Sequence, residues 1–379
     1  MAKRKTRHVK ILLVNIGLLL LLLGLYEGYM FVMVRSPGLL GMCPQKIQNS
    51  MGYLYAWGDR DIIQFMPACA MYDRELGYTL RPGSCVFSGR EFRNVYEVNS
   101  IGVRDDETSL NHPEIIVAGD SVAMGWGVDQ EETYAQRIEK KLGMVVLNAA
   151  VSSYGTAREM MLLSRVQTDR LRYLIVQYSG NDYDENKQFY RDNNVLHTMT
   201  EETYDHYTDL YNRSKDYFVG KYLLIKIKKR IREFKPTDEA EASSPVDQDE
   251  TGLFLNALMH GPVNLQDVQI IAFVINGRNP ADNVDFTRDL KDRIANRDFP
   301  PFIKKMIVLD TGTIMKQHHF YVLDSHPNRA GHEVIADAII KAIETVERQR
   351  THAPSAGMII PSESDSLPRT GKTLHAQIG

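Results

Sequence analysis

Five short apolar runs of this sequence are followed by polar side chains, and several of these are types used in nucleophilic catalysis. The first run ends at Gly119 and is followed at once by Asp120 and Ser121. His326 follows the fifth run, with Asp324 two residues before it. A serine becomes a nucleophile when a histidine takes its proton and a carboxylate orients that histidine. These residues therefore predict acyl chemistry with Ser121 as nucleophile, His326 as base and Asp324 as orienting acid.

Donors near the same run ends could stabilise the oxyanion that forms when a serine attacks a carbonyl group. Gly155 follows the second apolar run, and Asn181 follows the third. We predict an oxyanion hole formed by the backbone N–H groups of Ser121 and Gly155 and the side-chain amide of Asn181. Gly-Asp-Ser or Asn-Asp taken alone also fits an ordinary helix cap, so the prediction depends on finding all of these groups in one chain.

The pattern between residues 113 and 348 predicts the elements that would bring these groups together. Apolar runs with strand character occur at 114–119, 144–150, 173–180, 269–275 and 306–310. Segments with helical spacing occur at 131–142, 156–167 and 328–346. Continuous apolar strands that alternate with helices are typical of a parallel sheet covered on both faces. Because ligands bind beyond the carboxyl ends of such strands, we expect the candidate residues to meet at one edge of the sheet.

With these motifs in this order, the sequence resembles the SGNH (GDSL-type) hydrolase superfamily over about residues 113–348. The four blocks of that family are matched by Gly119-Asp120-Ser121, Gly155, Gly180-Asn181-Asp182 and Asp324-Ser325-His326. The resemblance implies an α/β fold, a flavodoxin-like three-layer sandwich with a central parallel five-stranded sheet. It also implies that Ser121 is acylated, that Gly155 and Asn181 contribute to the oxyanion hole, and that neither a metal nor another cofactor takes part.

The spacing of the acid and the histidine departs from the commonest form in that family, Asp-x-x-His. Leu323 occupies the position three before His326, and Asp324 lies two before it. This Asp-x-His spacing is similar to the alginate-O-acetyltransferase-like branch, which favours acyl transfer onto a glycan. Asp310, at the end of the fifth apolar run, is a second candidate for the orienting acid. The segments NSIGVRDDE and GDSVAMGWGVDQEETYAQRIE also resemble a membrane-anchored bacterial branch of the family.

The N-terminus predicts attachment to a membrane. Residues 1–10 carry five Lys or Arg residues, and residues 11–34 are apolar apart from Asn15, glycines and Glu27. A helix of this length, at about 1.5 Å per residue, covers a hydrocarbon core of roughly 30 Å. We expect a transmembrane signal anchor at 11–34, because the apolar run exceeds that of a cleaved signal peptide, the rival interpretation, and no A-x-A-like site follows it. By the positive-inside rule, residues 1–10 lie in the cytoplasm and the rest of the chain in the periplasm or outside the cell.

Three regions are predicted beyond the anchor: a membrane-proximal region at 35–112, an SGNH hydrolase-like domain at 113–350 and a polar, disordered tail at 351–379. The domain contains an insertion at about 182–266, which is rich in tyrosine and includes a basic amphipathic helix, 221–234. The tyrosines could stack on sugar rings, although packing the insertion onto its own domain is favoured. The helix could lie on an anionic membrane surface or cover the domain from solvent.

All three cysteines, Cys43, Cys69 and Cys85, precede the first apolar run. Outside the cytoplasm a pair of them could form a disulfide. Cys69 with Cys85 is the favoured pair, and three buried thiols are the alternative of equal weight.

The net charge and the spacing of the histidines argue against two classes of function, nucleic-acid binding and metal binding. The net charge of −3 gives no reason to expect nucleic-acid binding, and His318, His319 and His332 lack the spacing of a metal site. The sequence predicts a membrane-anchored, extracytoplasmic serine esterase or O-acyltransferase that acts on an ester-bearing substrate such as an acylated glycan or lipid. The alternative is a catalytically silent SGNH-fold binding or assembly protein in envelope polysaccharide biosynthesis. The sequence identifies no protein partner.

Overall fold

The computed structural model describes residues 2–234 and 249–352. By their internal contacts, residues 1–342 form one compact unit and residues 343–379 a second. The tail predicted to be disordered, 351–379, lies outside the described residues except for its first two positions. The acidic, proline-containing composition of 235–252 predicts a mobile segment, and its residues 235–248 lie outside the described residues.

Strands and helices alternate through most of the described chain. The strands are β1 Ala70–Asp73, β2 Gly77–Leu80, β3 Gly83–Ser88, β4 Arg93–Val98, β5 Ile115–Ala118, β6 Val146–Asn148, β7 Tyr173–Tyr178, β8 Gln269–Val274 and β9 Ile307–Val308. The longer helices are α1 Ala2–Arg35, α3 Gln45–Gly58, α5 Tyr134–Leu142, α6 Thr156–Leu162, α7 Asp182–Arg191, α8 Glu201–Ser214, α9 Lys221–Phe234, α10 Glu250–Met259, α11 Val284–Asn296 and α14 Arg329–His352. The short helices are α2 Pro37–Leu40, α4 Ser121–Met124, α12 Pro301–Lys304 and α13 Thr311–Ile314.

Strands β5 to β9 form one parallel sheet in the order β6-β5-β7-β8-β9. Ile115 of β5 pairs with Val146 of β6 on one side and with Tyr173 of β7 on the other. Every residue of β5, β6, β7 and β8 is buried, as expected for strands covered on both faces. This strand order is that of the flavodoxin-like fold, so the predicted α/β sandwich with five parallel strands is confirmed. The edge strand β9 is shorter than the predicted 306–310, because it pairs with β8 alone and only over two residues.

Two antiparallel hairpins precede the sheet. Strand β1 pairs with β2, and β3 pairs with β4. Cys69 and Cys85 form a disulfide, which links the residue before β1 to the middle of β3, and Cys43 is a free thiol. The favoured pairing is therefore the one found in the structure.

Helix α1 contains a candidate membrane span, Arg7–Arg35, whose most apolar window has none of its residues buried by the rest of the protein. Only its last turns contact other elements. There Met30 and Val34 pack with Leu54 and Tyr55 of α3 and with Tyr222 of α9. The long helix predicted at the N-terminus is present, and it meets the rest of the protein at the end away from the basic residues.

The insertion between β7 and β8 contains helices α7, α8, α9 and α10. Tyr204, Tyr207 and Tyr211 of α8 surround Phe65, and the rings of Phe65 and Tyr211 stack with their centroids 4.8 Å apart. Tyr204 also stacks on Tyr78 of β2. These tyrosines therefore pack the insertion onto the hairpins, as the favoured interpretation expected.

Candidate active site

Ser121 lies at the carboxyl end of β5, where the chain turns into α4. Gly119 adopts φ of +154°, and a Cβ there would lie 2.6 Å from the Cβ of Ala123. The turn therefore requires glycine at this position. Asp120 caps α4, because its carboxylate accepts a hydrogen bond from the N–H of Val122 at 3.0 Å. Asp120 thus has the structural role that its place in the motif favours, and the turn presents the hydroxyl of Ser121 beyond the sheet.

Two buried side chains hold this turn from behind. The side-chain oxygen of Gln177, in β7, accepts hydrogen bonds from the N–H groups of Asp120 and Ala123, both at 3.2 Å. The guanidinium of Arg104, which is fully buried, donates to the carbonyl oxygen of Gly125 at 2.5 Å. Removing the Gln177 side chain would leave two buried backbone N–H groups without this acceptor, which is costly. Side chains from outside the motif therefore fix the position of the serine.

His326 reaches Ser121 from the loop between β9 and α14. Its Nε2 lies 2.8 Å from the Oγ of Ser121, and its Nδ1 is hydrogen-bonded to the carboxylate of Asp324. When Nδ1–H donates to the carboxylate, Nε2 is free to accept the proton of the serine. The structure thus brings together the three residues predicted for nucleophile, base and acid, and the acid against His326 is Asp324 rather than Asp310.

Asp324 is buried among groups that stabilise its charge. Its Oδ2 accepts a hydrogen bond from the indole Nε1 of Trp126 at 3.1 Å, and the guanidinium of Arg60 lies 3.7 Å from Oδ1. Burial alone would raise the pKa of Asp324, but the charge and hydrogen bond of His326, with the charge of Arg60, outweigh it and hold the pKa well below its ordinary value. Trp126 also stacks on the ring of His326, with centroids 4.5 Å apart and planes 12° apart. The indole therefore fixes both members of the acid–base pair.

The backbone before His326 is held by Glu91, which lies between β3 and β4. Its carboxylate accepts three backbone hydrogen bonds, from Val322 at 2.7 Å, Leu323 at 2.8 Å and Asp324 at 3.0 Å. Burial raises the pKa of Glu91, although these three hydrogen bonds act in the opposite direction. No sequence motif distinguished Glu91, because its role arises only when the hairpin folds against the histidine loop.

The structure brings two of the three predicted oxyanion residues to the cavity beside this triad. Ser121 and Asn181 line the cavity. Gly155 is not among the described residues that line it. The N–H of Gly155 instead donates to the carboxylate of Glu185 at 3.0 Å. The donor that the sequence assigned to the oxyanion is thus engaged elsewhere, since Gly155 begins α6 and faces α7.

Ser153 occupies the wall of the cavity where Gly155 was expected. It has a positive φ of +61°, which turns the chain sharply after β6. Its Oγ accepts a hydrogen bond from the Nε2 of Gln64 at 3.0 Å. No residue pattern indicated this turn, because a positive φ is uncommon for serine and the nearby glycine was the natural choice.

The triad opens into a cavity of about 1190 Å³. Its walls come from α3, the serine turn, the ends of β7 and β8 and the histidine loop. Amide side chains are prominent among the residues that line it: Gln45, Asn49, Gln64, Asn181, Asn276, Asn279 and Gln317. Arg278, a candidate contact for an anionic substrate, also lines the cavity, but its Nη1 donates to the carbonyl oxygen of Val322 at 2.5 Å. Arg278 therefore supports the histidine loop as well as facing the cavity.

His332 lies inside the protein, away from the cavity. Its Nδ1 accepts a hydrogen bond from the N–H of Tyr134 at 3.2 Å, and its ring stacks on that tyrosine. Burial lowers the pKa of His332 to about 3, and the nearby Arg104 acts in the same direction. His332 is thus a neutral core residue. Within residues 2–234 and 249–352, no group of three or more His, Cys, Asp or Glu side chains is arranged to hold a metal ion.

No family model matches the sequence, and no curated protein matches it. Solved structures similar to the chain include a protein assigned to the lipolytic G-D-S-L family from Desulfitobacterium hafniense DCB-2, with 11% identity over 60% of this chain and 98% of that chain and a TM-score of 0.33. The chain is similar to GDSL-type proteins. It is also similar to TesA, with 13% identity over 61% of this chain and 98% of that chain and a TM-score of 0.33. A third structure is a carbohydrate esterase family 2 enzyme from Corynascus thermopiles, with 14% identity over 62% of this chain and 66% of that chain and a TM-score of 0.32. At these identities the likeness concerns the fold alone.

Proposed function

We propose that this protein is a membrane-anchored, extracytoplasmic serine esterase or O-acyltransferase of the SGNH type. The observation that carries the proposal is the contact of 2.8 Å between the Oγ of Ser121 and the Nε2 of His326, with the carboxylate of Asp324 hydrogen-bonded behind the imidazole. A protein that only binds a ligand has no need of this arrangement. The four sequence blocks of the superfamily support the same assignment.

In the proposed reaction, Nε2 of His326 takes the proton of Ser121 as Oγ attacks the carbonyl carbon of an ester. The carbonyl oxygen becomes an oxyanion, and His326 then gives its proton to the departing alcohol, which leaves an acyl group on Oγ. In the second half-reaction His326 takes a proton from water or from a hydroxyl of an acceptor, and that oxygen attacks the acyl carbonyl carbon. The bond to Oγ then breaks, His326 returns the proton to Oγ, and Ser121 is regenerated. Asp324 remains ionised and stabilises the imidazolium that forms in each half-reaction.

The oxyanion is bound by the N–H of Ser121 and the side-chain amide of Asn181, both from residues that line the cavity. We assign the third donor to the backbone N–H of Ser153 in place of Gly155. Ser153 lines the cavity, whereas the N–H of Gly155 donates to Glu185.

The substrate proposed is an ester of a glycan or a glycolipid. The cavity is large enough for more than one sugar ring, since small-molecule sites commonly have about 300–1,000 Å³ and this one has about 1190 Å³. Its amide side chains can both donate to and accept from sugar hydroxyls. The Asp-x-His spacing favours transfer of the acyl group to a glycan acceptor over hydrolysis.

Labelling with a serine-reactive fluorophosphonate tests the nucleophile in the full-length protein in detergent. Wild type should be labelled, and Ser121→Ala should not. Ser325→Ala is the matched control, because Ser325 also lines the cavity. The serine hydroxyl that is hydrogen-bonded to Nε2 of His326 belongs to Ser121. Labelling of Ser121→Ala at the wild-type rate would refute the assignment, and so would wild type that stays unlabelled while folded. Release of acetate from an acetyl ester, with and without a glycan acceptor, separates hydrolysis from transfer.

A further inference from the structure

Helix α9 has two apolar faces, and only one of them is used by the fold. Tyr222 is buried and Ile225 packs in the cluster formed with α1 and α3. On the other side Leu224 is 40% exposed, Ile227 54% and Ile231 55%. Their spacing of three and then four residues puts them on one stripe of the helix. A stripe of large apolar side chains left in water is unfavourable, so this face is suited to an apolar surrounding.

Cationic side chains border the exposed stripe. Lys228 and Arg230 are exposed, and at 100° per residue they fall on its two sides. The helix carries Lys or Arg at six of the positions between 221 and 232: Lys221, Lys226, Lys228, Lys229, Arg230 and Arg232. An apolar stripe with cations along both borders is the pattern of helices that lie in the interface of an anionic membrane.

The position of α9 along α1 places it at the depth of such an interface. Glu27 of α1 is buried, and its carboxylate accepts the N–H groups of Tyr222 at 3.1 Å and Leu223 at 3.0 Å, at the start of α9. Lys226 then donates to the hydroxyl of Tyr26 at 2.7 Å. A hydrocarbon core of roughly 30 Å takes about 20 helical residues, so a span that begins near Ile11 ends near residue 30. Helix α9 therefore meets α1 where the hydrocarbon gives way to headgroups.

Other exposed apolar side chains lie beside the same part of the protein. Phe218 is 52% exposed and Val219 87% exposed, in the two positions before Gly220 and α9. Their neighbour Tyr217 packs edge-on against Phe31 of α1. Trp57 of α3 is 56% exposed and lies under the guanidinium of Arg232, 4.5 Å from its ring centroid. Aromatic side chains are enriched at this level of membrane proteins.

From these observations we propose that α9 lies in the surface of the membrane crossed by α1, with Leu224, Ile227 and Ile231 among the acyl chains and its cations on anionic phospholipid headgroups. The protein would then be attached to the membrane by two elements, the span in α1 and the interfacial helix α9. Tyr53 connects this surface to the cavity, since it lies 4.3 Å below the Nζ of Lys229 and lines the cavity wall. The catalytic cavity is accordingly fixed beside the membrane surface. The inference rests on the membrane span proposed for α1 and is independent of the reaction proposed above.

Depth-dependent quenching in lipid nanodiscs tests the proposal on the full chain. A Cys43→Ser background leaves the Cys69–Cys85 disulfide, and a single cysteine in place of Ile227 carries a bimane label. The matched control is the same label in place of Leu210, which is 52% exposed and belongs to α8, the helix whose tyrosines pack on Phe65 and Tyr78. Lipids with a nitroxide at the top of the acyl chain should quench the label at 227 several-fold more strongly than the label at 210. The quenching at 227 should increase when phosphatidylglycerol is added to phosphatidylcholine.

A charge reversal separates the anionic contribution from simple apolar insertion. Lys228→Glu should remove most of the increase caused by phosphatidylglycerol, whereas Lys140→Glu, at an exposed position of α5, should not. Circular dichroism shows whether each variant is folded. Equal quenching at 227 and 210 would overturn the proposal. It would also be overturned by self-quenching at 227 that depends on the labelled fraction and not on the lipid, because a second copy would then cover the face.

Discussion

Replacing Asp324 by asparagine tests the catalytic triad through a contact outside it. One carboxylate oxygen of Asp324 faces His326, and the other accepts the indole N–H of Trp126 at 3.1 Å. Asparagine has a single oxygen. If that oxygen turns to Trp126, the NH₂ group faces Nδ1 of His326 and traps the tautomer whose proton is on Nε2, which cannot accept the proton of Ser121. If it turns to His326, the NH₂ group faces the indole N–H, and two donors oppose each other.

Either orientation should lower kcat severely. Trapping the wrong tautomer in a serine protease triad costs about 10⁴ in kcat, so we expect a loss on the order of 10³–10⁴ for Asp324→Asn. The assay is steady-state turnover of a short acyl ester, with the rate of fluorophosphonate labelling as a second readout. Asp310→Asn is the control, since Asp310 precedes α13. The carboxylate that is hydrogen-bonded to Nδ1 of His326 belongs to Asp324. It should retain most of the activity.

The Trp126→Phe variant distinguishes the two orientations of the asparagine side chain. It removes the indole N–H but keeps an aromatic ring against His326, so the loss from this change alone should be modest. In that background the asparagine oxygen can turn to His326 without opposition, and Asp324→Asn should cost less than it does beside Trp126. If the Asp324→Asn variant kept more than about a tenth of the wild-type kcat, its activation barrier would have risen by less than about 1.4 kcal/mol. That result would refute the role of the acid. Equal losses in both backgrounds would refute the tautomer argument while leaving the triad in place.

Four further predictions concern other parts of the molecule. Asn181→Ala should leave the melting temperature unchanged and lower kcat by about 10²–10³, the usual loss for one oxyanion donor, and unchanged kcat would remove Asn181 from the site. Glu91→Gln should lower kcat more than it changes KM, because an NH₂ group would face backbone N–H groups of the histidine loop at a cost of about 1–3 kcal/mol; Glu91→Asp should retain more activity, and equal losses would argue against a requirement for the carboxylate. The pKa of His332 is lowered to about 3, so below pH ~6.5 the unfolded chain binds more protons than the folded protein. The free energy of unfolding should therefore fall by up to about 1.4 kcal/mol for each unit by which the pH is lowered. Urea titrations of wild type and His332→Gln between about pH 5 and pH 7 measure this fall, and an equal dependence on pH in the two proteins would contradict the prediction. A reporter enzyme fused after Gly379 should be active only outside the cytoplasm, and cytoplasmic activity would refute the predicted orientation of α1.

The fold of the sheet could be predicted because its strands are apolar on both faces. The run predicted at 173–180 forms β7, Tyr173–Tyr178, which is buried at every position, so its strand character was evident in the sequence. Its pairing with β5 and β8 was not predicted, because an apolar run does not identify its neighbours. The edge strand β9 was predicted too long, since an apolar run does not reveal that it pairs with only one neighbour. Before the sheet, the segments ELGYTLRPGS and YEVNSIGVRDDE predict short strands and turns, but the pairing of the two hairpins depends on the fold around them.

The triad could be predicted because each member follows an apolar run and carries a distinctive side chain. Backbone donors leave no such trace. Gly155 attracted the oxyanion prediction as a glycine after β6, but its N–H faces Glu185, and the cavity wall is formed by Ser152 and by Ser153, which has a positive φ. Arg60 and Glu91 could not be found either, because both come from the region before the sheet and act only by contact across the fold.

That region does more than connect α1 to the sheet. It supplies Arg104, which holds the serine turn, Glu91, which holds the histidine loop, Gln64, which holds Ser153, and Arg60, which lies beside Asp324. Four parts of the site, namely the serine turn, the histidine loop, Ser153 and Asp324, thus contact a side chain from residues 60–104. The same stretch follows α3, which packs against α1 and α9. The geometry between Ser121 and His326 therefore depends on the segment between α3 and the sheet, and a change that loosens this segment should reduce catalysis without touching a catalytic residue.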